Sequence, residues 1–128
     1  MPRQTTEEFM DALRGVQEPL LHAVTYRFHD ETSPEDVERG VDILRGLGSL
    51  PGIISWSVLP SLDQRKGRTA LELGVFEHGQ AVLDFRVHPI HVEATNFLQH
   101  VSDWVIVDAP LAALNPLTPA EQLAQLPR

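Results

Sequence analysis

Two histidines, His88 and His91, flank Pro89 in the run Asp84-Phe85-Arg86-Val87-His88-Pro89-Ile90-His91. An imidazole titrates near pH 6.5, so it is the side chain best matched to moving a proton at neutral pH. Either imidazole of the pair is a candidate general base. A base needs an orienting or charge-balancing partner, and two residues in apolar runs qualify. His22 lies in LLHAVTYRF and Glu72 in TALELGVF. A carboxylate in such a run must be paired or neutralised. Together these types point to acid–base chemistry on a small organic molecule. His91, Glu72 and His22 would form a polar cluster, with Tyr26, Phe85, Trp56 and His88 as ligand-binding walls. Each also has a plain structural reading. His88 and His91 can stabilise a helix break, His22 can be a packed strand residue, and Glu72 can pair with an arginine. Trp56 and Trp104 can be core or interface aromatics.

Other chemistries find less support. His88 and His91 sit at i and i+3, but a metal needs at least one more ligand, and the intervening proline disturbs the helical geometry that would align them. We therefore expect no metal and no cofactor. GLGSLPG lacks the lysine of a phosphate-binding loop and ends a helix rather than starting one. No G-x-S-x-G nucleophile elbow is present. The chain contains no cysteine, which removes disulfides and thiolate chemistry and fits a cytoplasmic location. Eighteen acids against 10 bases give a formal charge of -8, the wrong sign for a nucleic-acid partner. The basic cluster Arg65, Lys66 and Arg68 sits in a glycine-containing turn. No apolar run approaches the roughly 20 residues of a membrane span, and MPRQTTEEFM has no apolar signal region.

The elements that must position these residues follow from capping and periodicity. Thr5 to Gln17 reads as an amphipathic helix with Phe9, Leu13 and Val16 on one face. Leu21 to Phe28 alternates as a strand, with His22, Val24, Tyr26 and Phe28 on one side and Ala23, Thr25 and Arg27 on the other. Ser33 or Thr32 caps a helix whose stripe is Val37, Val41, Leu44 and Leu47. Ile53 to Leu59 and Thr69 to Phe76 are strands joined by a polar turn. Gln80 to Val87 is helical. His88-Pro89 interrupts it, leaving a helical turn or two from Ile90 to Leu98. Val101 to Ala109 is a fourth strand. A short tail helix is expected from Thr118 as cap, Pro119 and Glu121.

The order β-α-β-β-α-β is the ferredoxin-like pattern, an α+β fold with one four-stranded antiparallel sheet and both helices on one face. Residues 21–109 form that domain. Residues 1–20 are a helical extension and residues 110–128 a proline-rich tail. In this topology strands one and three are central neighbours, and Glu72 shares the helix-facing side with Ala70, close to His22 or Val24. The opposite face carries Thr69, Leu71, Leu73 and Val75 beside Ala23, Thr25 and Arg27. A large apolar sheet face calls for a cover, so a two-fold homodimer packed sheet on sheet is expected.

LLHAVTYRF, the PGI turn, the strand ending in Phe76, and HPIH followed by VIVDA resemble the stress-responsive α/β-barrel (Dabb) family. The resemblance covers about Leu21 to Ala109. It implies a ferredoxin-like dimer whose two sheets form a barrel, with many members lacking an assigned reaction. One characterised member closes a polyketide chain by aldol condensation, using a tyrosine and a histidine near this element. The resemblance carries its catalytic histidine onto His91 and its tyrosine onto Phe85, which has no phenolic hydroxyl. A further pocket histidine falls on Ala70, and a strand-one histidine is kept as His22. Three readings follow: a dimeric domain binding a small organic molecule, a cofactor-independent cyclase, lyase or isomerase with His91 as base, or a structural oligomer with a filled cavity.

Overall fold

The computed structural model describes residues 2–114, together with Ala120 and Ala124. The tail helix expected from Thr118, Pro119 and Glu121 lies outside the described residues. Helix α1 (Thr6–Arg14) starts at a capping box in which Thr5 and Glu8 satisfy each other's backbone N–H. Strand β1 (Leu20–Phe28) follows, then α2 (Pro34–Gly46), β2 (Ile53–Pro60) and β3 (Thr69–Phe76). Helices α3 (Gly79–Val87) and α4 (Pro89–Val101) lead into β4 (Ser102–Pro110). The sheet order is β2-β3-β1-β4, antiparallel throughout, which is the ferredoxin-like arrangement.

The core lies between this sheet and the helices. Alternation on β1 buries His22, Val24, Tyr26 and Phe28 on the helix side. On β3 it buries Ala70, Glu72, Gly74 and Phe76 on the same side. Helix α2 caps on Ser33, places Pro34 in its first turn, and buries Val41 and Leu44. Its Gly40 lets the Phe28 ring approach to 2.9 Å of where a Cβ would stand.

The break at His88 does more than the sequence reading allowed. A turn or two after it was expected, but α4 runs for 13 residues. The physical reason is that Pro89 occupies the first turn of α4, where its missing N–H costs no intrahelical bond. His88 is extended, with φ -62° and ψ 134°, as the residue before a proline prefers. It ends α3 and caps α4, its Nδ1 accepting the Ile90 N–H at 3.2 Å. Helix α4 also absorbs Val101, so β4 begins at Ser102.

Helix α1 docks on α3. Leu13 is buried, and the Gly79 N–H donates to the Val16 carbonyl at 2.8 Å. A Cβ at Gly79 would fall 1.7 Å from the Leu13 carbonyl oxygen, so backbone meets backbone there. Gly79→Ala is expected to cost about 1–3 kcal/mol, the usual range for overpacking. Amide hydrogen exchange should show the loss concentrated in α1. Unchanged protection in α1 would remove Gly79 as its dock.

Among the described residues nothing covers the opposite sheet face. Val105 and Val107 are 70% and 59% exposed, and Leu59 is 52% exposed. Leu21, Ala23, Leu71, Leu73 and Val75 continue the same face at half-burial.

Candidate functional site

The cross-strand register assembles the site. His22 on β1 stands opposite Gly74 on β3 and Asp108 on β4, while Val24 stands opposite Glu72. All of these face the helices. His22 is therefore flanked by two carboxylates. Its Nδ1 is 2.5 Å from Asp108 Oδ1, and its Nε2 is 3.2 Å from Glu72 Oε2. Glu72 is 1% exposed and His22 4%. The Tyr26 hydroxyl donates to the other Glu72 oxygen at 3.4 Å, completing a buried chain Asp108–His22–Glu72–Tyr26.

Burial alone would lower the His22 pKa. Hydrogen bonds and charge from Asp108 and Glu72 outweigh it, and the pKa is pushed up to about 9. At neutral pH His22 is an imidazolium with both N–H groups engaged, so it is a cation in the wall and not a base. Tyr26 is pushed up, first by burial and then by the Glu72 charge, and stays a neutral donor.

His91 differs in each of these respects. It stands in the first turn of α4, with its ring 4.4 Å from that of Phe85. Its Nδ1 lies 3.1 Å from the Arg86 carbonyl. A carbonyl can only accept, so that nitrogen carries the hydrogen and Nε2 holds the lone pair. Burial lowers its pKa, the Arg86 carbonyl partly opposes this, and the cations His22 and Arg86 push it down further. His91 is thus neutral at pH 7 with one nitrogen able to accept a proton.

One cavity of about 40 Å3 joins these groups, lined by His22, Tyr26, Glu72, Phe85, His91 and Asp108, with Phe9, Arg86 and Trp104 also on its wall. A broader depression of about 580 Å3 lies along the β2–β3 loop. Its Asp63 and Arg65 are paired to each other at 2.7 Å and no imidazole lines it, so the candidate acid–base groups lie in the smaller space.

His22, Glu72, His91, Tyr26 and Phe85 therefore share one wall system. Trp56 and His88, read from sequence as wall residues, do not line it. Trp56 lies where Cβ atoms on Gly48 and Gly74 would be, 2.5 and 2.8 Å from its ring, and donates its indole N–H to the Leu44 carbonyl at 3.0 Å. It supports Phe85 from behind, with ring centroids 5.7 Å apart. His88 is occupied as the cap between two helices. Asp108 and Phe9 were missed. Asp108 follows Trp104 and Ile106 on alternate positions of β4, the signal that would have placed it on the helix side.

The stress responsive A/B barrel domain (Dabb) matches residues 20–111 of this chain. The stress-response A/B barrel domain-containing protein HS1 of Arabidopsis thaliana is 30% identical over 98 residues, covering 70% of this chain and 87% of HS1. A dimeric ferredoxin-like protein of unknown function from Thermobifida fusca is similar with a TM-score of 0.64 at 19% identity, covering 77% of this chain and 94% of that one. Hydroxynitrile lyase from Passiflora edulis is similar with a TM-score of 0.64 at 19% identity, covering 80% and 99%. These two structures share the fold. The matched residues run from the start of β1 past the end of β4 and include both helices that carry Arg86 and His91. On that match, and on the likeness to HS1, the chain belongs to the stress responsive A/B barrel domain family.

Proposed function

We propose that this protein is a cytoplasmic homodimer, joined through the uncovered sheet face, that takes a small carbonyl compound into the cavity of each protomer and uses His91 as a cofactor-independent base. The observation that carries this reading is the division of labour between two imidazoles on one cavity. His22 is fixed as a cation by Asp108 and Glu72, and His91 is neutral with no partner on Nε2 among the described residues. A carbonyl compound that loses an adjacent proton gains negative charge on oxygen. His91 Nε2 takes the proton, and His22 and Tyr26 stabilise such charge when ligand entry turns the His22 Nε2–H or the Tyr26 O–H from Glu72 to the ligand oxygen. Phe85 cannot donate a hydrogen bond, so the donor in this reading is Tyr26, whose one hydrogen turns from Glu72 to the ligand oxygen. The dimer is supported by the exposed apolar strand residues and by the dimeric relative of the same fold. The cytoplasmic location rests on the absence of cysteine.

The test is exchange of the methyl hydrogens of acetone in deuterated water, followed by proton NMR. Wild-type protein should accelerate exchange over buffer, and His91→Gln should lower the protein-dependent rate by about 10²-fold. The rate should be flat from pH 6.5 to about 8, fall below the ordinary imidazole range because the His91 pKa is lowered, and fall again as pH rises through about 9, where the His22 cation is lost. Equal rates for wild type and His91→Gln would dismiss His91 as the base.

A further inference from the structure

The cavity is sealed on one side by a helix that the family match does not include. The match begins at residue 20, whereas α1 spans Thr6–Arg14. Phe9 of α1 nevertheless lines the cavity together with His91 and Arg86. The Arg86 guanidinium lies over the Phe9 ring, 4.9 Å from its centroid.

The walls differ in how freely they can move. His22, Glu72 and Tyr26 are tied to one another by hydrogen bonds and lie on central strands. Phe85 is buried among Phe76, Trp56 and His91. Phe9 is only partly buried, and Arg86 is exposed. Their contact breaks with a change of side-chain rotamer, while Leu13 keeps α1 docked. A space of about 40 Å3 holds a few water molecules, so any organic ligand requires a wall to move.

We propose that Phe9, held by Arg86, is the gate of this cavity and sets the size of the compound it admits. The proposal rests on the reading of the cavity as a ligand site. It assigns α1 a role in selecting ligands, in addition to its packing on α3. Opening needs no shift of the sheet. The Phe9 ring leaves the guanidinium, and the vacated volume joins the space beside His91.

The first experiment needs no ligand. Diethyl pyrocarbonate acylates neutral imidazoles, and peptide mass spectrometry reads each histidine separately. His91 should react at least 10-fold faster in Phe9→Ala than in wild type, while exposed His100 reacts equally in both. Equal His91 rates overturn the gate. Phe9→Leu, which keeps an apolar side chain on α1, should fall between them and serves if Phe9→Ala does not fold. The second experiment follows Tyr26 and His91 ring signals by NMR during addition of acetone or acetophenone. Acetone should shift them in both proteins, and acetophenone at least 10-fold more readily in Phe9→Ala. Equal acetophenone response in the two proteins overturns the size selection. If His91 reactivity rises and neither ketone shifts either protein, the gate stands and the carbonyl reading of the cavity falls.

Discussion

His22→Gln is expected to lower the unfolding free energy at pH 7 by about 3–5 kcal/mol, the range for removing one partner from a buried ionic group. The variant leaves Glu72 and Asp108 facing each other's side of the same pocket without the cation that lies between them. The effect should depend on pH. His22 is raised from the usual 6.5 to about 9 in the fold. A raised imidazole pKa contributes stability that is fully present below about 6.5 and is lost as pH rises through about 9. The whole contribution is about 3 kcal/mol. Denaturant unfolding of wild type and His22→Gln at pH 6 and pH 10 tests this. The gap between them should be widest at pH 6 and narrow at pH 10. A gap of the same size at both would mean that shape, not the imidazolium, is what His22 supplies.

The second large effect concerns the uncovered sheet face. Leu73 lies on β3 opposite Ala23 on one side and Ser57 on the other, near the middle of that face. In a two-fold dimer each copy brings its own Leu73 to the interface, so one substitution acts twice. Leu73→Glu leaves a half-buried carboxylate at the surface of a folded protomer, but forces two unpaired charges into an apolar interface. Association should weaken at least ~10³-fold, about 4 kcal/mol. Sedimentation velocity at micromolar concentration should show wild type as dimer and Leu73→Glu as folded monomer. A monomeric wild type, or a variant that still dimerises, would sink the sheet-to-sheet pairing.

Much of the scaffold could be read from local rules. Alternation on two strands put His22 and Glu72 on the helix side, and strand order made them neighbours. What escaped depends on longer-range packing. Asp108 reaches His22 through the pairing register of β4 with β1. The proline was read as an interruption rather than as a helix start, so α4 came out too short; Val101 to Ala109 was read as a strand with no face assigned, so Asp108 had no partner. Trp56 carried two readings from sequence, a wall of the cavity and a core or interface aromatic, and it packs against the core. It is held between Gly48 and Gly74, whose missing side chains make a slot that neither residue announces locally. Phe9 escaped because an amphipathic helix ahead of the first strand shows that it packs, but not what it packs over.

The single-residue joint at His88 also sets a phase. Because one residue closes α3 and opens α4, there is no slack between the two helices to absorb a change in length. Each added residue in α3 would turn all that follows by about 100° around the helix axis. His91 would then rotate off the cavity while its sequence surroundings stayed the same. The length of α3 is in that sense part of the site. A chain that kept every residue of the wall but gained one position between Gly79 and Val87 should fold with an empty place where His91 ought to be.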